Sequence, residues 1–157
     1  FLYDSSRIDF SSHPLYEMIN MDGYELVMKN IYQVDEFFEF QVSTTNIFGK
    51  NIPVSGGGYL RLLPWLLTKK LINTYLANNS IYVFYIHPFE LSSKPNPKFP
   101  KATKFQHQLR FSMGRSTVES KLSNLINLLK DNGFKFTTFS MLRKKILNSN
   151  PIYNNVD

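Results

Sequence analysis

From Ile81 to His87 the chain runs Ile-Tyr-Val-Phe-Tyr-Ile-His with no polar alternation, and a proline follows. A short unbroken apolar run of this kind predicts a strand buried on both faces, as in a parallel sheet. Pro88 cannot donate to a ladder and biases His87 towards an extended or turn conformation, so the strand is expected to stop there. The imidazole of His87 then sits at the carboxyl end of a buried strand, where α/β sheets and barrels place their chemistry. Elsewhere the period changes. Phe38 to Val42 alternates and marks a strand within Phe37–Ser43, a turn forms around Gly49, and Ile52–Val54 is a second short strand. Leu60 to Asn78 is a predicted helix, with Pro64 tolerable in its first turn. Leu63, Leu66, Leu67, Ile72, Tyr75 and Leu76 fall mostly on one face, and Lys69 and Lys70 point away. This helix followed by the Ile81–His87 strand reads as the αβ half of a parallel crossover.

Further on, Ser116-Thr117-Val118-Glu119 has the spacing of a capping box. The helix it opens is expected to bury Val118, Leu122, Leu125, Ile126 and Leu129, and to end at a left-handed cap at Asn132-Gly133. Phe134–Thr137 reads as a last strand and Ser140–Leu147 as a basic terminal helix. Periodicity is poor over residues 7–34, which predicts a long loop with short strands; His13-Pro14 reads as a surface loop feature there. Leu91–Ala102, with three prolines, is an extended loop. Phe1–Ser6 looks like the tail of a strand leaving a Ser-rich loop, so the chain is expected to begin inside a structural element. The pattern makes an α/β fold, with one domain over residues 1–147 and a polar, disordered tail over 148–157.

Composition narrows the function classes. A chain of 157 residues with 43% hydrophobic content is enough for one domain with a core. The absence of cysteine removes disulfides and thiolate metal sites. A net charge of +6 permits contact with nucleic acid, anionic lipid or acidic polysaccharide. The basic residues are scattered, however, and no nucleic-acid motif appears, so a solvated basic surface is the expectation. No run of about 20 apolar residues is present to span a membrane. Gly56-Gly57-Gly58 frees the backbone for positive φ or close approach. Standing alone it would be a flexible connector, and it matches no phosphate-loop pattern. Asp4, standing alone, would be a turn-forming side chain.

Taken together, these motifs have an order: PVSGGGYLRLLP over residues 53–64, FYIHPFEL over 84–91, FQHQLR over 105–110, then a Leu-rich helix. That order resembles the C-terminal half of bacterial polysaccharide deacetylases, metal-dependent carbohydrate esterases of the chitooligosaccharide-deacetylase type. The resemblance is particularly to the branch linked to exopolysaccharide production. The opening FLYDSS also looks like that family's "GYxYDSS" segment, and the resemblance extends from residue 1 to about 145. It implies the C-terminal part of a distorted β/α barrel, incomplete on its own, because only four or five strands are legible where the family fold has seven or eight.

The chemistry implied is amide hydrolysis of an N-acetyl sugar in a polysaccharide or oligosaccharide. By resemblance, a divalent metal (zinc or similar) and the base come from the N-terminal half of the family fold, and His87 matches the general acid. Imidazole suits that role, since it ordinarily titrates near 6.5, close to working pH. Asp4 matches the region of a carboxylate that orients this histidine, and Glu90 is a second candidate. Gly56, Gly57, Gly58, Tyr59, Arg61 and Phe89, with Glu90, are expected to line the substrate cleft. The three histidines, His13, His87 and His107, lie tens of residues apart, so no ligand pair spaced as HxxxH exists. The chain is therefore expected to bind no metal alone, and to deacetylate only with an N-terminal half supplied in cis or in trans. The resemblance also implies a bacterial, cytoplasmic or membrane-associated setting. The alternative function is a non-catalytic glycan- or partner-binding module in which Phe89, Tyr59 and Trp65 stack on sugar rings. A third reading, nucleic-acid binding, rests on the charge alone and predicts a steep salt dependence.

Overall fold

The structure, a computed structural model, describes residues 1–10, 19–96 and 98–149. His13-Pro14 and most of the polar tail lie outside the described residues. Four short strands, β1 (Tyr3–Asp4), β2 (Glu25–Met28), β3 (Ile31–Val34) and β4 (Phe37–Phe40), form one sheet in the order β1-β4-β3-β2. β2, β3 and β4 are antiparallel, and β1 lies parallel to β4 with Tyr3 opposite Phe38. Asn30 and Asp35 turn the chain at φ 68 and φ 49, positions that the short polar Asn and Asp side chains tolerate better than most residues. A stretch expected to be mainly loop thus supplies half of the sheet. Its strands are four residues long, too short for a period-2 pattern to stand out. A second sheet is the hairpin β5 (Thr44–Ile47) and β6 (Lys50–Pro53), turned at Phe48 and Gly49 with both φ values positive. The turn around Gly49 is where the sequence places it.

The expected helix over 60–78 is two helices, α1 (Gly57–Leu62) and α2 (Trp65–Leu76). Pro64 causes the break. It pushes Leu63 into extended geometry at φ −86 and ψ 145, and itself caps α2 from outside the first turn. The break also resets the buried face. Thr68, Ile72 and Tyr75 go inside, while Leu66 and Leu67 are 81% and 44% exposed.

The Ile81–His87 run corrects the sequence reading more deeply. It is extended but belongs to no ladder, and within it only Val83 is buried. Its bonds go to one side: Val83 N–H donates to the Ser43 hydroxyl at 2.8 Å, and Gly57 N–H donates to the Tyr85 carbonyl at 2.9 Å. After it come a single turn, α3 (Pro88–Leu91), then α4 (Phe105–Ser112), α5 (Val118–Asp131) and α6 (Phe139–Ser149). The capping box expected at Ser116 is not made. A 3-10 turn spans Arg115–Thr117, and Thr117 caps α5 without a side-chain bond. Gly133, at φ 79, closes α5 as expected, with Phe134 N–H donating to the Leu129 carbonyl. Phe134–Thr137 pairs with nothing among the described residues, so the last strand is absent. The fold is mixed α/β with two sheets and six helices, and no closed barrel forms among the described residues.

Two apolar clusters hold these layers. Val54, Ile72, Tyr75, Leu125, Leu128 and Leu129 join α2 to α5. Ile31, Phe38, Phe40, Val83 and Ile146 join the first sheet to α6 through Val83. Between them stands Ser43, fully buried. Its carbonyl accepts from Val54 N–H and the Ser55 hydroxyl, and its own hydroxyl donates to the Tyr75 phenol oxygen. The phenol in turn donates to the Ile81 carbonyl at 2.6 Å. A buried polar node of this kind, with every member bonded, sets register where apolar contacts alone would slide.

Glu39 is buried beside β1. Its Oε1 accepts from the backbone N–H groups of Ser6 (2.9 Å) and Arg7 (2.8 Å), which tie the chain after β1 to β4. Burial pushes its carboxyl above the ordinary 4.5, with Asp4 adding to the rise and the two amides opposing it. A carboxyl raised in the folded state binds its proton more tightly there than in the unfolded chain. Its stabilising contribution is complete below the unfolded value and is lost as pH rises through the folded one. Glu39→Gln keeps an acceptor oxygen and removes the titration. Urea unfolding between about pH 4 and 7 is expected to show wild type losing stability relative to Glu39→Gln as pH rises. A stability difference independent of pH would contradict this.

Candidate functional site

The extended run delivers His87 to the surface, where the ring is exposed. His87 itself remains extended, at φ −90 and ψ 141, as a residue before proline should. Its backbone is then fixed from both sides. Glu90 Oε2 accepts the His87 N–H at 3.0 Å, and the Glu90 N–H donates to the His87 carbonyl at 2.9 Å. Glu90 is 1% exposed and lies 3.6 Å from the guanidinium Nε of Arg61, which is 6% exposed. Arg61 Nη1 donates to the Phe111 carbonyl. The Arg61 carbonyl, with that of Leu63, accepts from the Lys121 ammonium at 3.1 and 2.8 Å. Burial pulls the Lys121 amine below its ordinary range.

The glycines of the PVSGGG stretch make this arrangement possible. A methyl on Gly57 would stand 1.9 Å from Glu90 Oε2, and one on Gly56, at φ 104, would meet the Tyr85 ring at 2.8 Å. Gly58, by contrast, faces open space. Two of the three glycines are thus required by close approach of the His87 turn, which fits glycine's lack of a Cβ rather than its flexibility. Gly114, at φ 74, plays the same part on the far side, since a methyl there would lie 2.2 Å from the Arg61 carbonyl.

The rings around His87 form a continuous row. Tyr85 meets His87 edge-on at 5.6 Å, His87 stacks on Phe89 at 5.8 Å, and Phe89 stacks on Phe111 at 4.7 Å. Phe99 closes the row edge-on against Phe111 at 5.4 Å. Behind it, Tyr82 donates its hydroxyl to the Val54 carbonyl at 2.6 Å, and burial pushes that phenol far above its ordinary range. Tyr82 therefore stays protonated and structural.

The residues expected at the cleft thus separate. His87, Phe89, Tyr59 and Gly58 keep solvent access, whereas Arg61 and Glu90 are buried and hold backbone in place. Asp4 is exposed at the end of β1. Its carboxylate accepts from Ser5 N–H and the Ser6 hydroxyl, and no hydrogen bond or ion pair joins it to His87 among the described residues. Sequence reasoning overlooked Phe111, Gly114 and Lys121, which clamp Arg61, and Arg115, which donates to the carbonyls of Ser92 and Lys94. The glycine-arginine pair in FSMGR was the available signal. Among the described residues, no three His, Cys, Asp or Glu side chains gather to hold a metal ion, and His107 is exposed on α4. The donor set among the described residues does not fit a metal. Nor is any described helix long and apolar enough to cross a membrane.

A family model described as "Domain of unknown function (DUF3473)" matches residues 5–144. No curated protein and no solved structure matches the chain significantly.

Proposed function

The chain belongs to the DUF3473 family, a domain associated with polysaccharide deacetylases, and from this membership and the geometry at His87 we propose that it is the C-terminal portion of a metal-dependent polysaccharide N-deacetylase. The observation that carries the reading is an exposed imidazole whose backbone is pinned by a buried carboxylate. A group that must meet a substrate atom within hydrogen-bond reach gains from such fixing. In this reading His87 is the general acid. As the C–N bond of the acetamide breaks, the imidazolium gives its proton to the departing amine nitrogen. The described residues offer no metal ligand set, so the metal and the base are assigned to a complementary half of the barrel. The bound sugar is expected to rest against Phe89 and Tyr59.

Mixing the chain with the N-terminal half of a matching deacetylase and zinc is expected to release acetate from an N-acetylated oligosaccharide, with neither half active separately. Full activity of this chain alone, or none from the mixture despite complex formation, would sink the proposal. The row of rings from Tyr85 to Phe99 favours one second reading, a glycan-binding module without catalysis. Saturable, metal-independent binding of the oligosaccharide to this chain alone would select it.

A further inference from the structure

In an extended chain the backbone groups of successive residues point to opposite edges, so alternate residues share an edge. From Ile81 to His87 the odd positions are bonded inward. The Ile81 carbonyl takes the Tyr75 hydroxyl, Val83 bonds Ser43, the Tyr85 carbonyl takes Gly57 N–H, and His87 bonds Glu90. The even positions differ. The backbone N–H and C=O groups of Tyr82, Phe84 and Ile86 have no hydrogen-bond partner among the described residues, although all three residues are half-buried. One edge of a strand is complete and the other is bare. The bare edge opens beside a groove of about 1840 Å³ lined by Tyr82, Phe84, Leu122, Ile126, Phe136 and Leu142.

We infer that this edge is a docking site for a β-strand, one with alternating apolar side chains, contributed by the complementary metal-bearing half. The backbone pattern selects the occupant. A sugar or a lipid tail would cover apolar surface but cannot offer amide donors and acceptors at the two-residue repeat that Tyr82, Phe84 and Ile86 present. A strand satisfies these groups and delivers its outward side chains into the groove at the same time. It would also remove an exposed apolar edge of the kind that proteins normally cover. The inference rests on the incompleteness proposed above, and not on the acid role of His87.

Amide exchange followed by NMR tests it, on the full chain alone and with the N-terminal half of a matching polysaccharide deacetylase plus zinc. Alone, the amides of Tyr82, Phe84 and Ile86 are expected to exchange freely while that of Val83 is protected. In the complex all three are expected to slow by about 100-fold or more. A complex in which they stay unprotected overturns the edge inference and leaves the incomplete-barrel reading standing; absence of any complex overturns both. Protection that rises with the concentration of this chain alone would assign the edge to a second copy and overturn it equally. Slowed exchange without His87-dependent turnover would instead remove only the catalytic reading. Ile86→Pro removes a free N–H without breaking a backbone bond on the satisfied edge, and proline blunts an edge strand. It is expected to leave Val83 protected and to abolish assembly, and unaltered assembly would count against the inference. The wild-type exchange pattern decides the question even where the variant loses its fold.

Discussion

Replacing His87 by alanine in the reconstituted enzyme lowers turnover by about 10²- to 10⁴-fold, the usual worth of a general acid or base. The loss is expected mainly in kcat, because proton donation to the departing amine is made in the transition state and not on substrate binding. The variant also loses the alkaline limb of its pH–rate profile, since a general acid is needed in its protonated form. A substrate with a good leaving group, which departs without a proton, restores much of the rate. These signatures separate an acid from a residue that merely shapes the cleft. The aromatic neighbours Tyr85 and Phe89 keep the surface intact when the imidazole is removed. Turnover within about threefold of wild type would show that His87 is not the acid.

The second large effect is on stability and falls on Glu90. Glu90→Ala leaves the Arg61 guanidinium buried without its carboxylate and deprives the His87 N–H of its acceptor. Breaking a buried pair from one side costs about 3–5 kcal/mol, because the remaining charge is uncompensated. Gly57→Ala should cost about 1–3 kcal/mol by overpacking, since its methyl must displace the Glu90 carboxylate. The two are not independent. With Glu90 shortened, the space that the Gly57→Ala methyl needs is already open, so the double variant is expected to lose less than the sum of the singles. Urea unfolding of all four proteins measures the coupling, and strict additivity would contradict the proposed contact. Glu90→Gln keeps an oxygen for the His87 N–H and drops the charge. In the reconstituted enzyme it is therefore expected to retain more activity than Glu90→Ala at equal folded fraction.

The comparison of expectation with structure turns on a few residues. Helix α5 and its closing Gly133 were legible because both signals are local: a 3.6-residue apolar period and a left-handed cap that glycine accepts readily. The hairpin turn at Phe48-Gly49 was legible for the same reason. The Pro64 break was foreseeable in kind, since proline disfavours helix in the residue before it. It was missed because a proline in the first turn of one helix and a proline separating two look alike in sequence. The Ser116 capping box failed because Gly114, at positive φ, drives the chain into a 3-10 turn before α5 can begin.

By itself, the sequence determined that His87 ends an extended apolar run at a proline, that the glycine triplet leads into a Leu-rich helical segment, and that no pair of histidines spaced as HxxxH exists to hold a metal. These follow from covalent constraints and local periodicity. Only the tertiary structure decided that Glu90 and Arg61 face inward, and that Gly56 and Gly57 are small because Tyr85 and Glu90 press on them. Such facts depend on residues tens of positions apart in the chain. The tertiary structure also decided that the apolar run has one satisfied edge. A run of β-branched and aromatic residues encodes extension and burial, but a ladder needs a neighbour, and the described residues supply partners on one side only.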